Sequence, residues 1–197
     1  MNILIFGDSI TQGFNDDIGG GWVNRLKSYV ESTYDGIKVY NFGISGNTAV
    51  DLLNRIESEL NKNLNPDIIM FSIGLNDSQY FHETKKYRFT TDEFKNNLDK
   101  LYKTALAYTP KIIFLGLTNM DESKLDPIPW AKEKKSYYAS ARVDFDKVIQ
   151  DFTNEHNLQY ISMENVISLE DLPDGIHPNA DGHENIFQAV KNGLVIR

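Results

Sequence analysis

The chain has no cysteine, which excludes disulfides, thiolate metal sites and a cysteine nucleophile. Basic residues are in deficit, 20 Lys and Arg against 28 Asp and Glu, giving a net charge of −8 with no Lys/Arg block. Such a surface repels phosphate, so nucleic acid is not an expected partner. No apolar run approaches the roughly 18 residues that span a bilayer, so no integral membrane segment is expected. Ile3 to Phe6 is too short for the core of a secretion leader, and cleavage beyond it would remove Ser9. The expected location is therefore the cytoplasm. Internal repeats, low-complexity tracts and linkers are also missing. What remains is 197 residues, 41% hydrophobic and 24% charged, material for one domain over residues 1–197.

Short apolar runs alternate with longer amphipathic ones. Asn2–Phe6, Ile37–Phe42, Asp67–Ile73, Lys111–Leu117 and Leu158–Ser162 are rich in β-branched or aromatic residues. Several are continuously apolar, the mark of strands buried on both faces. Between them, Ala49, Leu52, Leu53, Ile56 and Leu60 recur at helical spacing. Phe94, Leu98, Leu101 and Ala105 do the same after Thr90-x-x-Glu93, a capping-box signature. Helices are also expected over 22–34, about 136–156 and 179–194. This alternation predicts an α/β fold, a parallel sheet between two helical layers. In such sheets ligands gather beyond the carboxyl ends of the strands.

Four segments lie at that rim or on a terminal loop, and each holds residues with chemistry. Gly7-Asp8-Ser9 follows the first strand, where a turn exposes a hydroxyl and local N–H groups. Gly43–Gly46 follows the second, and its glycines leave N–H groups free, Gly46 among them. Gly74-Leu75-Asn76-Asp77 follows the third, and the Asn76 amide is a donor that stays neutral at working pH. Asp174-x-x-His177 places an acid and a base on one short loop. A hydroxyl is a weak nucleophile until a base removes its proton, and the base needs a carboxylate to fix its tautomer. Ser9, His177 and Asp174 supply those three groups if the fold brings them together. Taken singly, each segment also reads as an ordinary turn or helix cap. His183, with Asp174 and Asp181, offers a weak metal-ligand alternative whose spacing matches no common set. His82 and His156 read as surface residues.

Taken together, the four blocks resemble the SGNH (GDSL-like) hydrolase family, and they stand in the family's order over nearly the whole chain. The departures are small: Ile10 replaces the commonest Leu of the first block. The resemblance implies a flavodoxin-like three-layer sandwich with a five-stranded sheet of order 2-1-3-4-5. It implies serine-based hydrolysis of a small-molecule ester without metal or organic cofactor. Ser9 is then the nucleophile, His177 the general base and acid, and Asp174 its orienting partner. Ser9 N–H, Gly46 N–H and the Asn76 amide form the oxyanion hole.

Two aperiodic stretches leave the same rim. Residues 78–90 carry Tyr80, Phe81, Tyr87 and Phe89, and residues 119–130 carry Pro127, Ile128, Pro129 and Trp130. They are expected either to wall an acyl or alcohol pocket or to pack the loops onto the domain. A short acyl or acetyl ester is the expected substrate, a carbohydrate acetate included, with thioesters and lysophospholipids as alternatives. The competing expectation is a non-catalytic flavodoxin-like binding module, in which Gly7–Gly13 cradles phosphate or flavin.

Overall fold

Strands that are apolar on both faces are stable only between two covering layers, and the central strands are of this kind. The computed structural model describes residues 1–62 and 64–195. Its main sheet comprises β1 (Asn2–Gly7), β2 (Lys38–Gly43), β3 (Ile68–Ser72), β4 (Ile112–Leu115) and β5 (Gln159–Ile161), all parallel, in the order β2-β1-β3-β4-β5. The three inner strands are buried almost throughout, whereas β2 and β5 are edges open to solvent on part of their length.

The register aligns four phenylalanines across the sheet. Phe42, Phe6, Phe71 and Phe114 occupy partner positions on β2, β1, β3 and β4. Their rings follow at centroid spacings of 5.0, 6.0 and 5.0 Å. Each aromatic pair adds roughly 0.5–1.5 kcal/mol beyond the area it buries. This row lies one residue below the rim where the chain leaves β1 and β2, so it fixes the base of the loops that follow.

The helices are α1 (Ser9–Gln12), α2 (Gly21–Thr33), α3 (Ala49–Leu60), α4 (Thr91–Leu106), α5 (Ala139–Glu155) and α6 (Ala180–Gly193). The Thr90–Glu93 capping box forms at the start of α4, and Thr48 with Asp51 forms a second at α3. Among the described residues, no helix is long and apolar enough to cross a membrane.

One expectation needs correction. The helix expected from about 136 begins at Ala139. Lys135–Ser136 instead pairs antiparallel with Tyr80–Phe81, which also pairs with Lys86–Tyr87, making a small second sheet over the rim. The side chain of Ser136 is held there by His82 at 2.7 Å and Asp126 at 2.5 Å. Those local bonds outweigh the helical tendency of the sequence.

Gly7 closes β1 where the strands are most crowded. A Cβ there would lie 2.1 Å from Thr11 Oγ1 and 2.4 Å from the Ser72 carbonyl. Gly7→Ala is therefore expected to cost at least about 1–3 kcal/mol and to lower Tm by roughly 5 °C. Thermal denaturation checks this, and an unchanged Tm would refute the close packing at this turn.

Candidate active site

Ser9 is the first residue of α1, directly after β1. Asp8 caps this short helix, its Oδ1 accepting the Ile10 N–H at 3.0 Å. As the first residue of a helix, Ser9 has a backbone N–H with no intrahelical acceptor. At the other end of the chain, Asp174 folds its loop around its own carboxylate. Oδ1 accepts the N–H groups of Ile176 at 3.0 Å and His177 at 2.8 Å. Oδ2 faces His177 Nδ1 at 2.6 Å and Asn15 Nδ2 at 3.3 Å. The loop then runs into α6, capped by Asn179, whose Oδ1 accepts the Gly182 N–H at 2.9 Å.

These two loops bring Ser9 Oγ to 2.9 Å from His177 Nε2, across 168 residues of sequence. Burial pushes the Asp174 carboxyl up, but hydrogen bonds from the His177 ring and from the two N–H groups outweigh it and hold it at about 2. Asp174 is thus ionised and accepts only, so Nδ1 of the neutral imidazole carries the proton. Nε2 is left bare and accepts the serine hydroxyl. Asp174, His177 and Ser9 form one directed hydrogen-bond chain ending at the cleft.

The loop after β2 presents Gly46. Ser45 N–H and Oγ both bond Gln12 Oε1, at 2.8 and 2.6 Å, and Asn47 N–H bonds the Ile44 carbonyl at 3.1 Å. Gly46 between them has φ +78° and an N–H with no partner among the described residues. Arg55 braces the loop from α3, donating through Nε to Asn47 Oδ1 at 2.8 Å and through Nη2 to the Phe42 carbonyl at 2.7 Å. Asn76 lies opposite and donates to the Asn47 carbonyl at 3.1 Å.

Ser9, Gly46, Asn76 and His177 share the wall of one cleft of about 600 Å³, large enough for a small organic ligand. Phe14 and Trp130 flank the imidazole, with ring centroids 4.5 and 6.3 Å from His177. Both rings are about half exposed, at 47% and 51%. Of the two aperiodic stretches, 119–130 sends Ile128 and Trp130 to the cleft. The four aromatics of 78–90 do not line it; Tyr80 packs on Tyr87 and Tyr138, and Phe81 lies under Arg88 and Lys135. Gln79, Lys135 and Tyr137 also line the cleft and were missed in the sequence, because nothing in their spacing marks them.

His183 is fully buried, with Nε2 2.9 Å from the Phe14 carbonyl and Nδ1 accepting the Trp22 N–H at 3.3 Å. Burial holds its imidazole below the usual range, so it is a neutral clamp between α6 and the Phe14 loop. His82 and His156 are half-buried rather than free on the surface, His156 stacking on Phe152 at 4.5 Å.

This fold is that of a family of ester hydrolases. The GDSL-like Lipase/Acylhydrolase family model matches residues 5–184, and the chain belongs to that family. It is 25% identical over 209 residues to the acetylxylan esterase of Geobacillus stearothermophilus, covering 95% of this chain and 90% of that protein. It is 25% identical to a multidomain esterase of Ruminococcus flavefaciens, covering 94% of this chain and 27% of that one. The crystal structure of Axe2, an acetylxylan esterase from G. stearothermophilus, superposes with a TM-score of 0.76 at 22% identity, covering 100% of this chain and 94% of Axe2. Structures described as catalytic mutants of Axe2 replace a serine, an aspartate or a histidine by alanine, the aspartate three positions before the histidine.

Two further carboxyls lie buried behind the site. Burial drives Asp8 up to about 6, against the hydrogen bond from the Ile10 N–H. Burial, with the charge of Asp8 adding to it, drives Asp77 up to about 7, against the Ala49 N–H that it accepts at 3.0 and 3.1 Å. A carboxyl raised in the folded state stabilises fully below its unfolded pKa near 4, and that stability is lost as pH rises through the folded value. Asp77→Asn keeps an acceptor for Ala49 but does not titrate. Its stability relative to wild type is expected to rise between pH 4 and 7, by at most about 1.4 kcal/mol per pH unit. Urea denaturation at pH 5 and pH 8 checks this, and a pH-independent difference would refute it.

Proposed function

We propose that the chain is a serine esterase that cleaves a short-acyl, carbohydrate-borne ester through Ser9. The carrying observation is the directed Asp174–His177–Ser9 hydrogen-bond chain opening on the cleft. His177 Nε2 takes the Ser9 proton as Oγ attacks the ester carbonyl carbon, and the carbonyl π electrons move to its oxygen. Ser9 N–H, Gly46 N–H and the Asn76 amide donate to that oxyanion. Collapse expels the alcohol, which takes the proton from His177 and leaves Ser9 acylated. Water, deprotonated by His177, then attacks the acyl-enzyme; collapse returns the proton to Oγ and frees the carboxylic acid. Ionised Asp174 stabilises the imidazolium in each half-reaction.

The substrate reading has its own support. A relative spanning both chains almost end to end is an acetylxylan esterase, and half-exposed Trp130 beside His177 offers a flat face for a sugar ring. Trp130→Ala is expected to raise KM for an acetylated xylooligosaccharide about 10-fold more than KM for p-nitrophenyl acetate, the loss of roughly 1.4 kcal/mol of ring contact. Equal changes on both substrates would count against sugar stacking.

The test of the chemistry is fluorophosphonate labelling and p-nitrophenyl acetate hydrolysis, wild type beside Ser9→Ala and Ser9→Ala/His177→Ala. Labelling is expected to vanish in both variants, and kcat to fall by on the order of 10⁶ in each, because the residues act as a unit. Folded wild-type protein that neither labels nor hydrolyses any ester would overturn the proposal. A double variant much worse than Ser9→Ala would overturn the shared role of the two residues.

A further inference from the structure

The side-chain amide of Asn76 has four hydrogen-bonding positions, two on oxygen and two on nitrogen. Three are occupied inside the protein. Oδ1 accepts the Tyr137 hydroxyl at 2.7 Å and Gln79 Nε2 at 3.4 Å, and one N–H donates to the Asn47 carbonyl at 3.1 Å. The remaining N–H is the only position left for a ligand in the cleft. A flipped amide would set its oxygen against the Asn47 carbonyl, two acceptors facing each other, and would put N–H groups toward a hydroxyl already donating to it. The partners therefore choose the orientation.

The hydrogen bonds behind Asn76 continue in one direction. Tyr137 Oη accepts from Gln79 Nε2 at 2.6 Å, and Gln79 Oε1 accepts from Lys135 Nζ at 3.3 Å. Lys135 is a cation with no acceptor capacity, so it can only start a chain. Donors run from the ammonium through the Gln79 amide and the Tyr137 hydroxyl to Asn76. Asn76, Gln79 and Tyr137 are 8, 5 and 4% exposed, and in such surroundings successive bonds polarise one another. Burial also raises the Tyr137 hydroxyl above its usual range, so it stays protonated and keeps donating. None of the three residues behind Asn76 touches Ser9 or His177 by hydrogen bond, so the chemistry proposed above does not use them.

We infer that Tyr137, backed by Gln79 and Lys135, is a positioning residue that fixes the Asn76 amide and turns its one unoccupied N–H toward the oxyanion. The inference rests on Asn76 being an oxyanion donor, as proposed above. It makes the lost donor and the lost orienter one energetic unit, which a double-mutant cycle can read.

The experiment measures kcat and KM on p-nitrophenyl acetate for Asn76→Ala, Tyr137→Phe and the double variant, each normalised to serine titrated by fluorophosphonate. Asn76→Ala is expected to lower kcat by about 10²–10³. Tyr137→Phe is expected to lower kcat about 10-fold with KM within about 2-fold, part of the value of that donor. In the Asn76→Ala background Tyr137→Phe should cost nothing further. Because Tyr137→Phe also takes from Gln79 Nε2 its shorter hydrogen bond, leaving it only the 3.4 Å contact to Asn76, Lys135→Met at the half-exposed end of the chain is the second variant. It is expected to lower kcat about 3-fold, to be restored by Lys135→Arg, and to have no effect once Asn76 is alanine. An unchanged kcat in Asn76→Ala would overturn the oxyanion reading itself. A normal loss in Asn76→Ala, with Tyr137→Phe and Lys135→Met either silent or equally costly in both backgrounds, would overturn the positioning role and leave that reading standing.

Discussion

The candidate site depends on one contact, the 2.9 Å approach of His177 Nε2 to the Ser9 hydroxyl. A hydrogen bond loses its value within a few tenths of an ångström and a few tens of degrees, and both partners sit on loops. Each loop is therefore anchored by a built device. Ser9 is held by the end of β1, by the Asp8 cap and by the crowded Gly7 turn beneath it. His177 is held by the carboxylate that its own loop encloses. Asn15 on Asp174 and the buried His183 on the Phe14 carbonyl then tie the first loop to the last.

The electrostatics divide the acids of the site into two kinds. Asp174 collects donors and stays ionised, whereas Asp8 and Asp77 are deprived of water and drawn toward neutrality. An ionised carboxylate beside His177 Nδ1 favours a cation on that ring. Ionised carboxylates behind Ser9 and Asn76 would oppose an anion forming in the cleft. Separated environments for similar groups are how one site can hold charge of both signs.

Much of this architecture was legible in the sequence because it rests on patterns longer than a turn. Five apolar runs, the helical spacings between them and Thr90-x-x-Glu93 each repeat a periodic or capping signal, whereas the strand order came from the family resemblance of the four blocks. Ser9, Gly46 and Asn76 were found as residues with chemical groups at strand ends, and Asp174 and His177 as an acid and a base on one loop; the fold draws Ser9, Gly46, Asn76 and His177 to one cleft, with Asp174 bonded behind His177. What escaped has no period. Strands of two residues, such as Tyr80–Phe81 and Lys135–Ser136, show no alternation, so Ser136 and Tyr137 read as the start of a helix. Arg55 reads as the polar side of α3, although its guanidinium reaches back to the ends of β2 and the Gly46 loop. Gln79 and Phe14 gain their roles only from partners far away in the chain.

The segment between β4 and α5 couples two properties that enzymes of open α/β type usually keep apart. Reactive groups sit on short loops at rigid strand ends, and longer insertions shape the substrate pocket. Here one insertion does both. It presents Trp130 at the cleft mouth and, seven residues later, Tyr137 beneath Asn76. It is closed on itself by the Ile128 N–H on the Lys135 carbonyl at 2.8 Å and by Ser136 on Asp126. A shift at its tip is therefore passed to its base through bonded backbone rather than absorbed by a slack linker. Lengthening or reshaping this insertion to admit a bulkier alcohol moves the donor that orients Asn76. On the function proposed above, substrate range and oxyanion stabilisation then change together.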